Sequence, residues 1–328
     1  MQFSDAYFED EVRDGFYVPA VMKRSWAAQL EVLEQIAKVC ERHQIRWYAD
    51  RGSLLGAVRH GGFIPWDDDL DICMLRDDYI RFCAAARQEL PPEYLTLRIP
   101  TNDQYFITRI CNGNHIVNVY KDYLDTYHGF PYTAGVDIFI LDYLSPDPEE
   151  EDFRNTLCRI VWNVITCLDQ NDLGPEETDS LLAQVEELLQ VRIDRNAPLK
   201  NQLLELLDQL FALHTASAGE AGEVAYMLNW IPFGTWKFSL SFYQDPVWIP
   251  FEETRIAVPS DYDGALRVQF GDHYRIPCRA GGGHDYPYYR PFQKELAKAM
   301  GMDCLPFHYA WNSGETSLFN TESSADSQ

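Results

Sequence analysis

Basic residues are scarce in this chain: 27 Lys and Arg stand against 51 Asp and Glu, a formal net charge of −24. That balance excludes a general affinity for nucleic acid or anionic membrane, polyanions that repel it at long range, and leaves room only for a local basic pocket. Long apolar runs are also missing. No stretch approaches the ~18 residues of a membrane helix. The opening MQFSDAYFEDEV has neither the basic nor the apolar segment of a leader peptide. These absences predict a cytoplasmic protein with no integral membrane segment and no nucleic-acid partner. The 8 cysteines include no CxxC pair, which argues for reduced core thiols against a zinc site or a disulfide framework. GxxxxGK[ST] and GxSxG are absent, so neither P-loop phosphate binding nor a hydrolase nucleophile elbow has support.

What remains is an ordinary globular composition, 328 residues at 46% hydrophobic, enough to bury a sizeable core. Apolar residues at Trp26, Leu30, Leu33, Ile36, Ala37 and Cys40 recur at helical spacing and predict a long amphipathic helix over 21–43. IRWYA reads as a short strand. RGSLLGAV then reads as a Gly-Ser turn opening a helix that stops near Gly61-Gly62. LDICML, YLTLRI, YFITRIC, HIVNVYK and GVDIFILDY have strand composition, with the NGN between YFITRIC and HIVNVYK suggesting a hairpin. Asp77 to Leu90 reads as a helix capped by Asp77 and stopped by Pro91-Pro92. Asp152 to Leu213 is helical in pattern; later, RIAVP reads as a strand and DYDGALRVQFG as a helix ending at Gly271.

The stretch IPWDDDLDI places four carboxylates in five positions between apolar residues. Charges this crowded oppose folding unless a cation, a turn or open water relieves them. In a strand, residues two apart share a face, so Asp69 and Asp71 would project together while Leu70 and Ile72 enter the core, a place for a divalent metal. Asp67 and Asp68 have no such assignment and are left to shape the turn. An EF-hand would have the same Asp-x-Asp-x-Asp spacing, yet Ile72 stands where its glycine belongs and Asp78 where its closing Glu belongs. A third acid, Asp137, lies in GVDIFI. A helix N-terminus suits a phosphate. Paired acids suit Mg²⁺ or Mn²⁺.

GSLLGAVRHGGFIPWDDDLDICMLRDDY resembles the signature of the LicD family of phosphotransferases, related to the fukutin-type proteins within the nucleotidyltransferase superfamily. GVDIFILDY and IAVPSDYDGALRVQFGDHYRIP extend the resemblance from about 21 to about 284. It implies an α+β fold, a nucleotidyltransferase-type mixed β-sheet core with flanking helices and a helical insertion. A single domain is expected over about 1–310, with the core near 21–145, the insertion near 146–220, a C-terminal segment near 221–310 and a disordered tail over 311–328. It implies Gly52 and Ser53 at the phosphate turn, Asp69 and Asp71 as paired metal ligands and Asp137 as the third carboxylate. It further implies transfer of a phospho-alcohol, phosphocholine in the best-known members, from a CDP-linked donor such as CDP-choline to a glycan hydroxyl, releasing CMP. Arg51 stands where the family commonly has Gly, Ser53 where it has Thr, and Phe270 where it has Tyr.

On this reading Mg²⁺ or Mn²⁺ sits on Asp69 and Asp71, and Asp137 either binds a second metal or takes the proton of the attacking hydroxyl. Arg59 could add positive charge at the transferring phosphoryl group; otherwise it is a structural arginine. Arg51 belongs to the donor pocket, and His284 lies in a Gly- and Tyr-rich loop that could close on it. A choline group would sit on aromatic faces, with Trp66, Trp230, Trp236 and Tyr286 as candidates. The acceptor is a cell-surface glycan or its precursor, either free or lipid-linked, and the enzyme is cytoplasmic or peripheral at the inner membrane face. Two alternatives stay open: transfer of NMP to a small molecule with release of pyrophosphate, and a non-catalytic binding protein on the same fold.

Overall fold

The computed structural model describes residues 1–97, 106–170, 174–279 and 286–302, with backbone alone over 307–311 and 318–322. An N-terminal hairpin, β1 (Glu11–Arg13) and β2 (Phe16–Val18), leads into α1 (Ala20–Arg42). α1 buries Trp26, Leu30, Leu33, Ile36 and Cys40 as its spacing predicts. Then follow β3 (Tyr48–Ala49), α2 (Arg51–His60), β4 (Asp71–Leu75), α3 (Arg76–Glu89), β5 (Leu95–Leu97), β6 (Thr108–Cys111), α4 (Lys121–Thr126) and β7 (Gly135–Tyr143). β3, β4, β7, β6 and β5 lie side by side in that order, β4 and β7 parallel and the other neighbours antiparallel. The fold is α+β with a mixed sheet.

Side chains alternate across β7, and the two faces differ in kind. Tyr79 of α3 shares a hydrogen bond of 2.7 Å with Thr108, whose register partner is Ile138, so α3 covers the face of Ile138, Ile140 and Asp142. The opposite face presents Asp137 and Phe139. β4 is buried at all its positions; a strand flanked this way needs the continuous apolar run that ICML supplies.

Three helices follow: α5 (Pro148–Gln170), α6 (Pro175–Leu189) and α7 (Leu199–Phe211). They bury their own cluster, including Leu157, Val161, Leu182, Val185, Leu203 and Leu207. Arg76 ties this unit to the sheet, donating at 2.6 Å to Asp142 and at 2.8 Å to Asp208 of α7. The chain returns through β8 (Glu223–Ala225), α8 (Met227–Phe233) and β9 (Lys237–Ser239), which extend the sheet beyond the end of β7. The hairpin of β10 (Val247–Phe251) with β11 (Thr254–Val258) precedes α9 (Tyr262–Phe270), which stops at Gly271 with φ 77° as expected. α10 (Gln293–Ala299) comes next, and β12 (Phe307–Trp311) pairs with β13 (Leu318–Glu322). Residues 312–317 and 323–328 of the expected tail lie outside the described residues. Among the described residues no helix is long and apolar enough to cross a membrane, and the described cysteines are free thiols.

Three local expectations are corrected. HIVNVYK does not form the second arm of a hairpin; it keeps one isolated bridge, Val117 to Tyr132, and enters α4 at Lys121. Asn112 explains why. Its backbone N–H donates to the Ala134 carbonyl at 3.1 Å and its Oδ1 accepts from the Ala134 N–H at 2.9 Å, so the chain after β6 is tied to the entry of β7. Asp77 does not cap α3, whose N-cap is Leu75; its carboxylate accepts from the Tyr143 hydroxyl at 2.6 Å. β4 begins at Asp71, so Asp69 belongs to the turn before the strand and the strand-face pairing of Asp69 with Asp71 gives way to a different partner.

Candidate active site

That partner is Asp137. Parallel pairing of β4 and β7 sets Asp71 directly beside Asp137, and residues in register on neighbouring strands share a face. Both carboxylates are nearly buried. Arg109 stands in register with Asp137 on its other side. It donates Nε to Oδ1 at 2.6 Å and a terminal nitrogen to Oδ2 at 2.5 Å, a two-pronged clamp. Burial, with the negative charges of Asp69 and Asp137 adding to it, pushes the Asp71 carboxyl well above the ordinary carboxylate range. A charge line runs across three strands.

The acidic turn fills the space before β4. Asp67, Asp68 and Asp69 bring carboxylate oxygens within 4.8 Å of one another. The two acids without an assignment turn out to anchor the turn. The carbonyl of Asp67 accepts Trp26 Nε1 at 3.0 Å and that of Asp68 accepts Gln29 Nε2 at 2.8 Å. The Asp68 carboxylate is fully buried and accepts the backbone N–H of Tyr288. An oxygen-only set of this kind fits a hard divalent cation of the Mg²⁺ or Mn²⁺ type, and fits no soft metal.

α2 abuts this turn at its N-terminus. Gly52 and Ser53 lie inside its first turn, not ahead of it. A Cβ on Gly52 would sit 2.3 Å from Asp67 Oδ2, so any other residue there has to displace the Asp67 carboxylate. The Ser53 hydroxyl accepts the Asp71 backbone N–H at 2.8 Å, and the Asp50 N–H donates to the Asp71 carbonyl at 3.0 Å. Helix start and strand start are thereby locked together. The C-terminal segment closes over them: Gln269 donates to Asp50 Oδ1 at 2.5 Å, and the Tyr48 hydroxyl reaches the Tyr243 carbonyl at 2.9 Å.

Other expected site residues are placed less centrally. Arg59 is in the last turn of α2, where it donates to the Tyr274 carbonyl at 3.1 Å and where Asp14 and Asp67 are the acids that act on it. Its neighbour His60 pairs with Asp14 at 3.2 Å. Arg51 turns to the sheet face beside Asp137 and lies over the rings of Phe139, Trp236 and Tyr226 at 3.7, 4.3 and 4.7 Å. His284 lies outside the described residues. Arg109 is absent from the expected set, although one charged residue within the apolar strand run of ITRIC is the kind of signal that marks it.

Residues 44–140 match the LicD/FKTN/FKRP nucleotidyltransferase domain. The chain carries a LicD-family domain. That span runs from before β3 to the middle of β7 and includes α2, the acidic turn, Asp71, Arg109 and Asp137. Over 65 residues the chain is 46% identical to the lipopolysaccharide cholinephosphotransferase LicD of Haemophilus influenzae, covering 20% of this chain and 24% of that one. It is 37% identical over 79 residues to an uncharacterised protein of Rickettsia typhi, covering 24% of each. It is also 42% identical over 48 residues to the human ribitol 5-phosphate transferase FKRP, covering 15% of this chain and 10% of that one. Each match thus spans a quarter or less of these relatives' length.

Proposed function

We propose that this chain is a metal-dependent phosphotransferase that moves a phospho-alcohol group from a CDP-linked donor to a hydroxyl of a cell-surface glycan or its lipid-linked precursor and releases CMP. The observation that carries the reading is the in-register Asp71–Asp137 pair facing the acidic turn and the start of α2. A donor diphosphate brings negative charge to a site already rich in it, so the reading requires a cation between them. Asp69, Asp71 and, from the third strand, Asp137 would hold it, with Asp67 beside them. A bound divalent cation would neutralise the diphosphate and stabilise the leaving oxygen.

The chain's own residues do the rest. The first turn of α2 presents backbone N–H groups to a phosphate, with Gly52 permitting the close approach. The Arg109 fork fixes the aim of Asp137 and engages both its oxygens. The fork takes one lone pair on each oxygen and leaves the others open, either to a cation or to the proton of the acceptor hydroxyl. Phosphoryl transfer needs little covalent help beyond such positioning and charge.

The name of the Haemophilus relative points to choline and that of the mammalian relative to ribitol. The test is a set of incubations with Mg²⁺, a glycan acceptor fraction and CDP-choline, CDP-ribitol or CDP-glycerol, with CMP as the readout. CMP formation that is lost in Asp71→Asn supports the reading. Pyrophosphate formation from a nucleoside triphosphate would replace it with nucleotidyl transfer, and no binding of Mg²⁺ with any nucleotide would leave a binding protein.

A further inference from the structure

We propose that Arg51 is a built-in occupant of a cation box beside the carboxylate pair, and that it selects a donor whose alcohol is uncharged and hydroxyl-bearing over one carrying a quaternary ammonium. The proposal rests on the phosphotransferase reading and names the alcohol class of its donor.

Three rings, Phe139, Trp236 and Tyr226, present faces to one point, and a box of this kind is what binds an organic cation. Here the cation is already supplied. The Arg51 guanidinium carbon lies 3.7, 4.3 and 4.7 Å from the three ring centroids. The box is close to the chemistry. Phe139 follows Asp137 by two positions on the same strand face, a separation of about 6.6 Å, and Arg51 directly precedes Gly52 and Ser53. A phospho-alcohol held at the acids has its alcohol within reach of the box.

The backbone is bent to build this arrangement. Arg51 has φ 50° and Trp236 has φ 60°, both in the left-handed region that side chains rarely adopt. Each such residue carries a backbone cost that the surrounding structure has to offset. Other tryptophans that could receive an ammonium group are taken too. Arg279 lies 5.0 Å from the Trp66 ring and Lys237 lies 5.3 Å from that of Trp230.

Chemistry then assigns the preference. A quaternary ammonium entering beside Arg51 meets a like charge and finds the ring faces covered. A guanidinium carries five N–H donors, and Arg51 makes no hydrogen bond among the described residues; its nearest carboxylate oxygen, on Asp50, is 3.9 Å away. Its Nε, the nitrogen nearest Asp50, is buried and without a hydrogen bond, which leaves the terminal nitrogens to meet a ligand. Donors left open in this way suit the hydroxyl oxygens of a polyol.

The experiment titrates wild type, Arg51→Gly, Arg51→Gln and Arg51→Gly with Trp236→Ala by calorimetry, with thermal melts confirming that each is folded. Glycine is at ease at the φ of position 51, so the first variant keeps the helix start. Ligands are choline alone, CMP, CDP-choline and CDP-glycerol, the last three with Mg²⁺. Wild type is expected to bind CDP-glycerol more tightly than CDP-choline and not to bind choline. Arg51→Gly should bind choline, lose that binding with Trp236→Ala, and shift the donor preference toward CDP-choline by roughly tenfold, or about 1.4 kcal/mol. Arg51→Gln should shift it in the same direction. Equal wild-type affinity for both CDP compounds overturns the proposal. So does an unchanged preference in folded Arg51→Gly, and so does an equal loss of CMP and both donors, which would make Arg51 a phosphate ligand. If wild type binds neither CMP nor either donor, the phosphotransferase reading fails; choline binding by Arg51→Gly and not by wild type would then still support the occupied box, and no difference between them would overturn it.

Discussion

Arg109 and Asp137 face each other in register across β6 and β7 and are joined by two hydrogen bonds, of 2.6 and 2.5 Å. The carboxylate is nearly buried and the arginine is partly exposed, so the cost of separating them falls on Asp137. Arg109→Ala should lower stability by roughly 1–3 kcal/mol, the usual penalty for a buried acceptor left unpaired, and should reduce CMP release by misaligning Asp137. Arg109→Lys should recover only part of both, because a point charge cannot reproduce the fork. Urea unfolding of the single variants and of Arg109→Ala with Asp137→Asn measures the coupling. Strictly additive costs would show that the clamp contributes nothing.

Gly52 and Asp67 make the second test. The 2.3 Å approach between a Cβ at 52 and Asp67 Oδ2 means that alanine there has to push the Asp67 carboxylate aside. Gly52→Ala should cost about 1–3 kcal/mol, the range for overpacking a tight contact, visible as a lowered melting temperature. Adding Asp67→Ala should restore most of that stability by removing the clashing atom, without restoring transfer. If Gly52→Ala melts like wild type, α2 and the acidic turn are not pressed together as described.

The parts of this site that are legible in the sequence are those written in local pattern. The apolar spacing of α1 and the buried run of β4 specify elements whatever surrounds them, and the LicD resemblance by itself groups Asp69, Asp71 and Asp137. What escapes a linear reading is register. Nothing within ITRIC says that Arg109 will stand opposite Asp137, since that depends on which strand β6 pairs with, and Asn112 commits the chain to β7 instead of to HIVNVYK. The start of β4 escapes for a related reason. Parity gives Asp69 and Asp71 one face, but Trp26, Gln29 and Tyr288 hold Asp67 and Asp68 in a turn, and those partners lie 39 to 41 residues upstream or 220 downstream.

Asp71 gives a pH dependence with a definite sign. Its folded-state carboxyl is raised by burial and by its acidic neighbours, so the stability it contributes is fully present below the ordinary aspartate range and is lost as pH rises through the raised value. In chelator-treated protein at neutral pH, Asp71→Asn should therefore be more stable than wild type, by about 1.4 kcal/mol for each pH unit by which the carboxyl is raised. The gap should narrow as the pH falls toward the usual aspartate value and close below it, where wild type holds the proton in both states. Thermal melts of the two proteins across pH 4 to 8 decide the matter, and an Asn variant less stable than wild type throughout would contradict it.

Adding a divalent cation should work against that order. If Asp69 and Asp71 hold Mg²⁺ or Mn²⁺, the repulsion that penalises the ionised site becomes the attraction that binds the metal. Wild type should then gain about 2.7 kcal/mol at a free cation concentration one hundred times its dissociation constant. Asp69→Asn with Asp71→Asn should gain almost nothing. Wild type should thus be less stable than Asp71→Asn in chelator and should gain on it steadily as Mg²⁺ is added, while chelation abolishes CMP release in wild type. Electron paramagnetic resonance of Mn²⁺ reports occupancy without reference to turnover, and a cation that stabilises the double variant as much as wild type would remove these acids from the metal site.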